Sequence, residues 1–134
     1  MTVNLRQHKF LKPIENSAVS VTTAAIPTKD YRNVIVTVAY DAAFAGTIKF
    51  LGSAQNDAPD FSSAKSLTNL WSGVQVKDRE DDDAKDGNTG VVVTASAANV
   101  FMYEFNANLL SFIAVAATRT AGTYTITITG TTNA

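Results

Sequence analysis

The chain has 134 residues, 46% of them apolar and only 17% charged, with a net charge of −1 and no cysteine. A single core of ordinary size accounts for that length, and the missing thiols exclude disulfides, thiolate zinc sites and cysteine nucleophiles. The near-neutral balance offers no general attraction to nucleic acid or to an anionic membrane. The longest apolar run, Phe112 to Ala117, falls far short of the roughly 20 residues that a membrane helix needs.

Residues 1–17 open the chain as an N-terminal arm or a first strand, and residues 18–134 read as one folded domain. The opening segment carries Arg6, Lys9 and Lys12 before its first acid, Glu15, with Val3, Leu5, Phe10 and Leu11 as apolar anchors. It lacks the apolar stretch and small-residue cleavage site of a secretory leader. The docking arm is the preferred reading, because a terminus not tied into a sheet is usually mobile unless a partner orders it. That reading makes Val3, Leu5, Arg6, Lys9, Phe10 and Lys12 candidate partner-binding residues. The single histidine, His8, then counts as a surface or interface residue.

Strands follow. Ala18 to Thr23 is the first candidate. In NVIVTVAYD, Val34, Val36, Val38 and Tyr40 share one face while Ile35, Thr37 and Ala39 share the other, the near-continuous apolarity of a central strand covered on both sides. Asp41 to Gly46 links it to Thr47–Gly52. Residues 53–72, SAQNDAPDFSSAKSLTNLWS, break the rhythm; a connection of that length is usually functional or packed down by its own side chains, here Phe61, Leu67, Leu70 and Trp71. Gly73–Lys77, Gly90–Ala95, Val100–Asn106 and Leu110–Thr118 are further strands. Asp86-Gly87-Asn88 reads as a positive-φ turn and Thr120-Ala121-Gly122 as a hairpin tip. The closing TYTITITG alternates Tyr124, Ile126 and Ile128 with threonines, a half-buried strand pairing back on Phe112–Ala116. About eight antiparallel strands and no helical stripe predict an all-β, single-domain β-sandwich of the jelly-roll kind.

The acidic stretch DREDDDAKDGNTG holds half of the chain's twelve acids. With Gly87 placed at the sixth position of an EF-hand loop, Ala84 stands at the third and Val93 at the twelfth, so two essential ligands are missing. An irregular, weak calcium site from Asp81, Asp83 and Asp86 is the minor reading. A solvated turn that discourages edge-to-edge pairing is the major one. Acids crowded on one loop do not supply the two separated carboxyls of glycoside hydrolysis. No phosphate-binding glycine motif or Ser–His arrangement is present. The residues point to no enzyme, no metal and no cofactor. Phe101, Tyr103 and Phe105 share a face and read as core; no basic residue lies among them, which argues against nucleic acid. Trp71 reads as a cap over the sandwich end, with a sugar-stacking platform as its alternative.

The stretches AFAGTIKFLGS, PDFSSAKSLTNLWSGVQVKD, DGNTGVVV and LLSFIAVAATRTAGTYTITITG, in that order, resemble the small β-sandwich virion proteins of tailed bacteriophages, from about Val34 to the C-terminus. The resemblance implies a structural role as a capsid decoration or cement protein, assembled in the host cytoplasm and placed on the capsid surface. Its partners would be the major capsid protein or another virion protein, and its state a homo-oligomer, best a trimer. A carbohydrate-binding module around Trp71 and a tail or fibre component are the alternatives. Should residues 1–17 prove to be core strand, Phe61 and Trp71 become the expected attachment surface.

Overall fold

The computed structural model describes residues 8–106 and 109–131, with side chains from residue 17 onward. The strands are β1 (His8–Ser17), β2 (Val21–Thr22), β3 (Ile26–Pro27), β4 (Asn33–Tyr40), β5 (Ala45–Ser53), β6 (Ser72–Gly73), β7 (Val76–Asp78), β8 (Ala84–Lys85), β9 (Val91–Thr94), β10 (Asn99–Asn106), β11 (Phe112–Ala121) and β12 (Tyr124–Thr131). Four of the twelve, β2, β3, β6 and β8, are only two residues long. The eight longer ones match the expected count but not its membership: the expected strand Ala18–Thr23 is reduced to the two residues of β2, and β1 takes its place. They form two antiparallel sheets, so the all-β sandwich expected from the periodicities is the observed fold.

Sheet A runs β1-β12-β4-β10-β7-β8 and sheet B runs β2-β11-β5-β6, with β3 also on β11 and β9 also on β5. The chain therefore crosses between sheets at nearly every step, giving the interleaved sets β1-β12-β4-β10 and β2-β11-β5-β6. The core lies between them. Val34, Val36, Phe50, Phe105, Ile113, Val115, Ile126 and Ile128 are all fully buried. Phe50 meets Tyr103 and Phe105 at ring separations of 5.1 and 5.8 Å, which places the aromatic row of β10 in the core as its alternation predicted.

Three local expectations are corrected. First, β11 and β12 are not a hairpin: β11 pairs with β5 and β12 with β4, in opposite sheets. Ile126 and Ile128 therefore meet the β11 side across the core rather than in register beside it. Residues 120–123 form a corner between sheets, where Gly122 holds φ +72° and a Cβ would stand 2.4 Å from the Phe44 backbone nitrogen. Asp41 ties that corner to the β4–β5 corner, accepting from the Thr123 hydroxyl at 2.9 Å and the Ala43 N–H at 3.1 Å. Second, positive φ falls on Asp82, Gly90 and Gly122, not on Gly87. Glycine is required at 87 for space instead, since a Cβ there would lie 2.0 Å from the Val74 carbonyl oxygen. Third, Gly73–Lys77 is two strands, β6 in sheet B and β7 in sheet A.

The N-terminal segment resolves towards the first-strand alternative. From His8 to Ser17 it pairs antiparallel with β12, with register shifts after Phe10 and after Ile14. The preferred docking arm is corrected over those residues: the hydrogen-bonding edge of β12 gives them a ladder to complete. Lys9 stands opposite Gly130, Phe10 opposite Thr129 and Lys12 opposite Ile128. Val3, Leu5 and Arg6 lie outside the described residues.

Candidate functional site

The outer face of sheet B is built to be covered. Inward positions on β5 and β11 hold Ile48, Phe50, Ile113 and Val115; the outward positions beside them hold Leu51, Phe112, Ala114 and Ala116, which are apolar too. An outward row of that kind loses free energy in water unless something packs on it. The connection from residue 54 to residue 71 folds back and does so. Phe61, 5% exposed, joins Leu51 and Ala114 in a second apolar cluster with Trp71 against it.

Hydrogen bonds within the loop hold this lid. The Asn69 side chain accepts from the Asp60 N–H at 2.9 Å and donates to the carbonyls of Asp60 at 2.8 Å and Ala64 at 3.1 Å. Gln55 accepts from the Leu70 N–H at 2.9 Å, and the Trp71 indole N–H donates to the Ser63 carbonyl at 3.1 Å. Hydroxyls of Ser62 and Ser63 donate to the Asp60 carboxylate at 2.5 and 2.7 Å, holding its pKa below the usual value. At the far end, Ser66 and Asn69 exchange backbone hydrogen bonds of 3.1 and 3.2 Å. The turn they close presents Leu67, 95% exposed, with Leu70 at 53%.

Phe61, expected with Trp71 as an attachment residue, is the buried anchor of the lid and lines the cleft beside the β2–β3 turn. Trp71 is half-buried, its ring 6.1 Å from Phe61 and its face approached by the Lys65 ammonium at 5.8 Å. The expected cap over the sandwich end is thereby corrected in place: Trp71 packs on the outer face of sheet B beside Phe61. Sequence reasoning missed Leu67 as the exposed element. It also missed the signal that the loop is a lid, namely the unbroken run Phe112 to Ala117, which marks a strand covered on both faces.

The acidic stretch lies at the β7–β8 edge of sheet A. Its carboxylates bond to their own backbone: Asp81 accepts from Asp83 N–H at 2.9 Å and Asp86 from Asn88 N–H at 2.8 Å, which lowers the Asp86 pKa. Asp82 pairs with Arg79 at 3.1 Å. No three acidic, histidine or cysteine side chains among the described residues converge as a metal site. Two clefts flank the lid. One of about 490 Å³ lies between it and the β2–β3 turn, with Asp60 as its single carboxylate. Another of about 440 Å³ is lined by Lys29, Tyr31, Asn56 and Phe112 among others. Neither brings two carboxyls together across its described lining.

The outer face of sheet A differs. Across β10, β4 and β12 the outward rows are Val100-Ala39-Thr125, Met102-Thr37-Thr127 and Glu104-Ile35-Thr129. No described loop lies over them, and Val100 and Met102 are 58% and 49% exposed.

The class of protein these observations define is an all-β sandwich with one outer face closed by its own loop. No protein-family model and no curated protein sequence matches the chain. Among solved structures it is similar to the SPBc2 prophage-derived protein YomS, with a TM-score of 0.65 over 98% of this chain and 97% of that one, at 10% identity. A likeness at that identity establishes the shared fold.

Proposed function

We propose that the protein is a structural, non-enzymatic component of a bacteriophage particle that binds the outside of the assembled capsid as a decoration or cement protein. The observation that carries this reading is the end-to-end fold likeness to a prophage-derived protein. It agrees with the resemblance of the chain's own stretches to phage virion proteins. The interleaved strand order also fits a jelly roll, an architecture used by viral capsid domains. The partner is the major capsid protein or another virion protein, and the working state is a homo-oligomer on the capsid surface.

Attachment through the lid follows from its construction. Leu67 is a large apolar side chain held in water at the tip of a loop whose conformation is already fixed. Such preorganised anchors give affinity because little ordering entropy remains to be lost on binding. Co-sedimentation of the purified protein with empty capsids, with tails and with a panel of glycans tests the reading. Capsid binding is expected, weakened at least about tenfold by Leu67→Asp, with the melting temperature unchanged because that side chain touches little. Binding to tails alone would move the protein to a tail or fibre role. Glycan binding without capsid binding would make it a carbohydrate-binding module.

A further inference from the structure

We infer that the cleft where the β3–β4 turn meets the β10–β11 loop binds a sugar ring that carries a carboxylate. The inference goes beyond the capsid-attachment reading and does not depend on it.

Three observations carry it. The first is a fixed frame. Thr28 donates its hydroxyl to the Leu110 carbonyl and its N–H to the Ser111 carbonyl at 3.1 Å. The Ser111 N–H in turn donates to the Ser53 carbonyl at 2.7 Å, and the Tyr31 N–H to the Thr28 carbonyl at 2.9 Å. Pro27 stands opposite Phe112 on the β3–β11 ladder. The Tyr31 ring lies against Gly130, where a Cβ would come within 2.4 Å of it. The walls are thus set before any ligand arrives. They enclose a cleft of about 440 Å³, inside the range of about 300–1,000 Å³ found for small-molecule sites.

The second is what projects from that frame. Lys29, Tyr31, Asn56 and Ser111 line the cleft, and their side chains make no hydrogen bond or ion pair among the described residues. No acidic side chain lines it either: Asp30 and Asp57, the nearest acids in sequence, stand outside the described lining. An ammonium without a counter-charge in the cleft favours one negative charge on the occupant.

The third is the balance of donors and acceptors. The Tyr31 and Ser111 hydroxyls and the Asn56 amide each donate and accept. An Asp or Glu side chain of a protein partner brings acceptors only. It would answer Lys29 and leave the accepting half of the other three idle. Ring hydroxyls of a sugar donate and accept as well, so they can answer all three. Phe112 and Pro27 add the apolar wall on which the C–H face of such a ring packs. Aromatic wall, two-way polar groups and one cation together select an acidic sugar over an acidic peptide.

Amide chemical shifts of the isotope-labelled full chain, free of any capsid, test this. The probes are the methyl glycosides of glucuronic acid and of N-acetylneuraminic acid, with methyl glucoside as the neutral control. An acidic glycoside is expected to bind with a Kd of about 1 mM. The shifts should centre on residues 28–31, 56 and 110–112. Methyl glucoside should bind about fivefold more weakly, and Lys29→Met should erase that difference by weakening the acidic glycoside alone. Asn56→Ala should weaken both kinds of sugar. Lys29 and Asn56 are exposed, so the unliganded spectra of both variants should match that of the wild type. No shift with either acidic glycoside at about twenty times the expected Kd overturns the inference. Shifts confined to another surface, that of Trp71 included, overturn it too. Binding of N-acetylglutamate amide as tight as that of the glycosides would also overturn it, and would assign the cleft to an acidic protein segment. Leu67→Asp should leave the sugar shifts unchanged. Because no capsid enters this experiment, its failure leaves the attachment reading standing, and failure of capsid binding leaves the sugar site standing.

Discussion

The outer faces of sheets A and B meet the same problem with different residues. Sheet B presents Leu51, Phe112, Ala114 and Ala116 outward and is closed by an 18-residue return loop, residues 54–71, whose Phe61 seats on that row. Sheet A presents threonines with Ile35, Val100 and Met102 and has no described cover. The difference lies in the outward positions: over the apolar cluster of Leu51, Phe112, Ala114 and Ala116, beside which Lys49, Thr47 and Thr118 also face outward, the chain supplies its own third layer, and where threonine predominates the face tolerates water. β-Branched threonine keeps strand propensity while its hydroxyl stays solvated. A self-covered face is inert, which leaves the lid's tip and the open sheet as the surfaces available to partners.

The comparison breaks most directly at Phe61. Phe61→Ala removes a 5% exposed ring and leaves a cavity over Leu51 and Ala114, so it should cost about 3–5 kcal/mol. Met102→Ala on the open face should cost less than about 1 kcal/mol. Denaturant unfolding of both variants measures the contrast. Equal losses would mean that the loop is an ornament on sheet B. Ile126→Ala on the inner face of sheet A, where exposure is 0%, should cost about 2–5 kcal/mol; a loss as small as that of Met102→Ala would invert the register of β12.

A pH profile sharpens the inner-versus-outer distinction in sheet A. Tyr103 faces the core, and burial, followed by the charge of Asp78 opposite it, pushes its pKa up to about 12. The unfolded chain releases that proton near pH 10 and the folded protein does not. Stability contributed by the neutral phenol is thus whole below pH 10 and declines as pH rises from 10 towards 12. Tyr103→Phe should flatten the decline in melting temperature over that window; a slope unchanged by the substitution would place the phenol in solvent. Asp60 in the lid has the opposite sign. Its pKa is lowered, first by the Ser62 hydroxyl, so its contribution holds above about pH 4 and fades as pH falls below.

Much of the fold was legible because alternation survives context. NVFMYEFN and TYTITITG each stand in the structure with the predicted faces inward, since one buried face fixes register. NVIVTVAY, expected to be covered on both sides, buries its Val34, Val36 and Val38 face and turns Ile35, Thr37 and Ala39 to a face that no described loop covers. Which strands pair is not written in alternation. The TAGTY corner looks like a hairpin, and only the wiring puts β11 and β12 in opposite sheets. For the candidate site the legible part was the long loop and its packing aromatics. Phe61 and Trp71 drew attention as binding residues because aromatics serve both interfaces and cores. What separates the two uses is the outward row of the sheet beneath, contributed by β5 and β11, which are far apart in sequence. Leu67 was unremarkable for the same reason: exposure depends on the turn between Ser66 and Asn69, and no local pattern distinguishes it from a packed leucine.

The smallest effect is expected at the acidic edge beside the open face. Six acids between residues 78 and 86 suggest a cation site by composition, but a calcium ion needs six to eight oxygens converging at about 2.4 Å. Here the carboxylates diverge to local donors. Asp81 and Asp86 receive N–H groups two residues on, Asp78 receives the Glu80 N–H at 2.9 Å, and Asp82 is engaged by Arg79. Such bonds close the turns without an ion, and Asp82 completes its own turn at φ 61°. Recruiting these groups to calcium would mean breaking the contacts that order the loop, leaving little net gain. Calorimetry with calcium should therefore show no tight binding, and a chelator should leave the melting temperature unchanged. A chelator-induced fall of several degrees would show that a metal organises the β7–β8 edge. The charged border of the sheet A face would then be an ion site rather than a solvated edge that keeps strands of neighbouring copies from pairing.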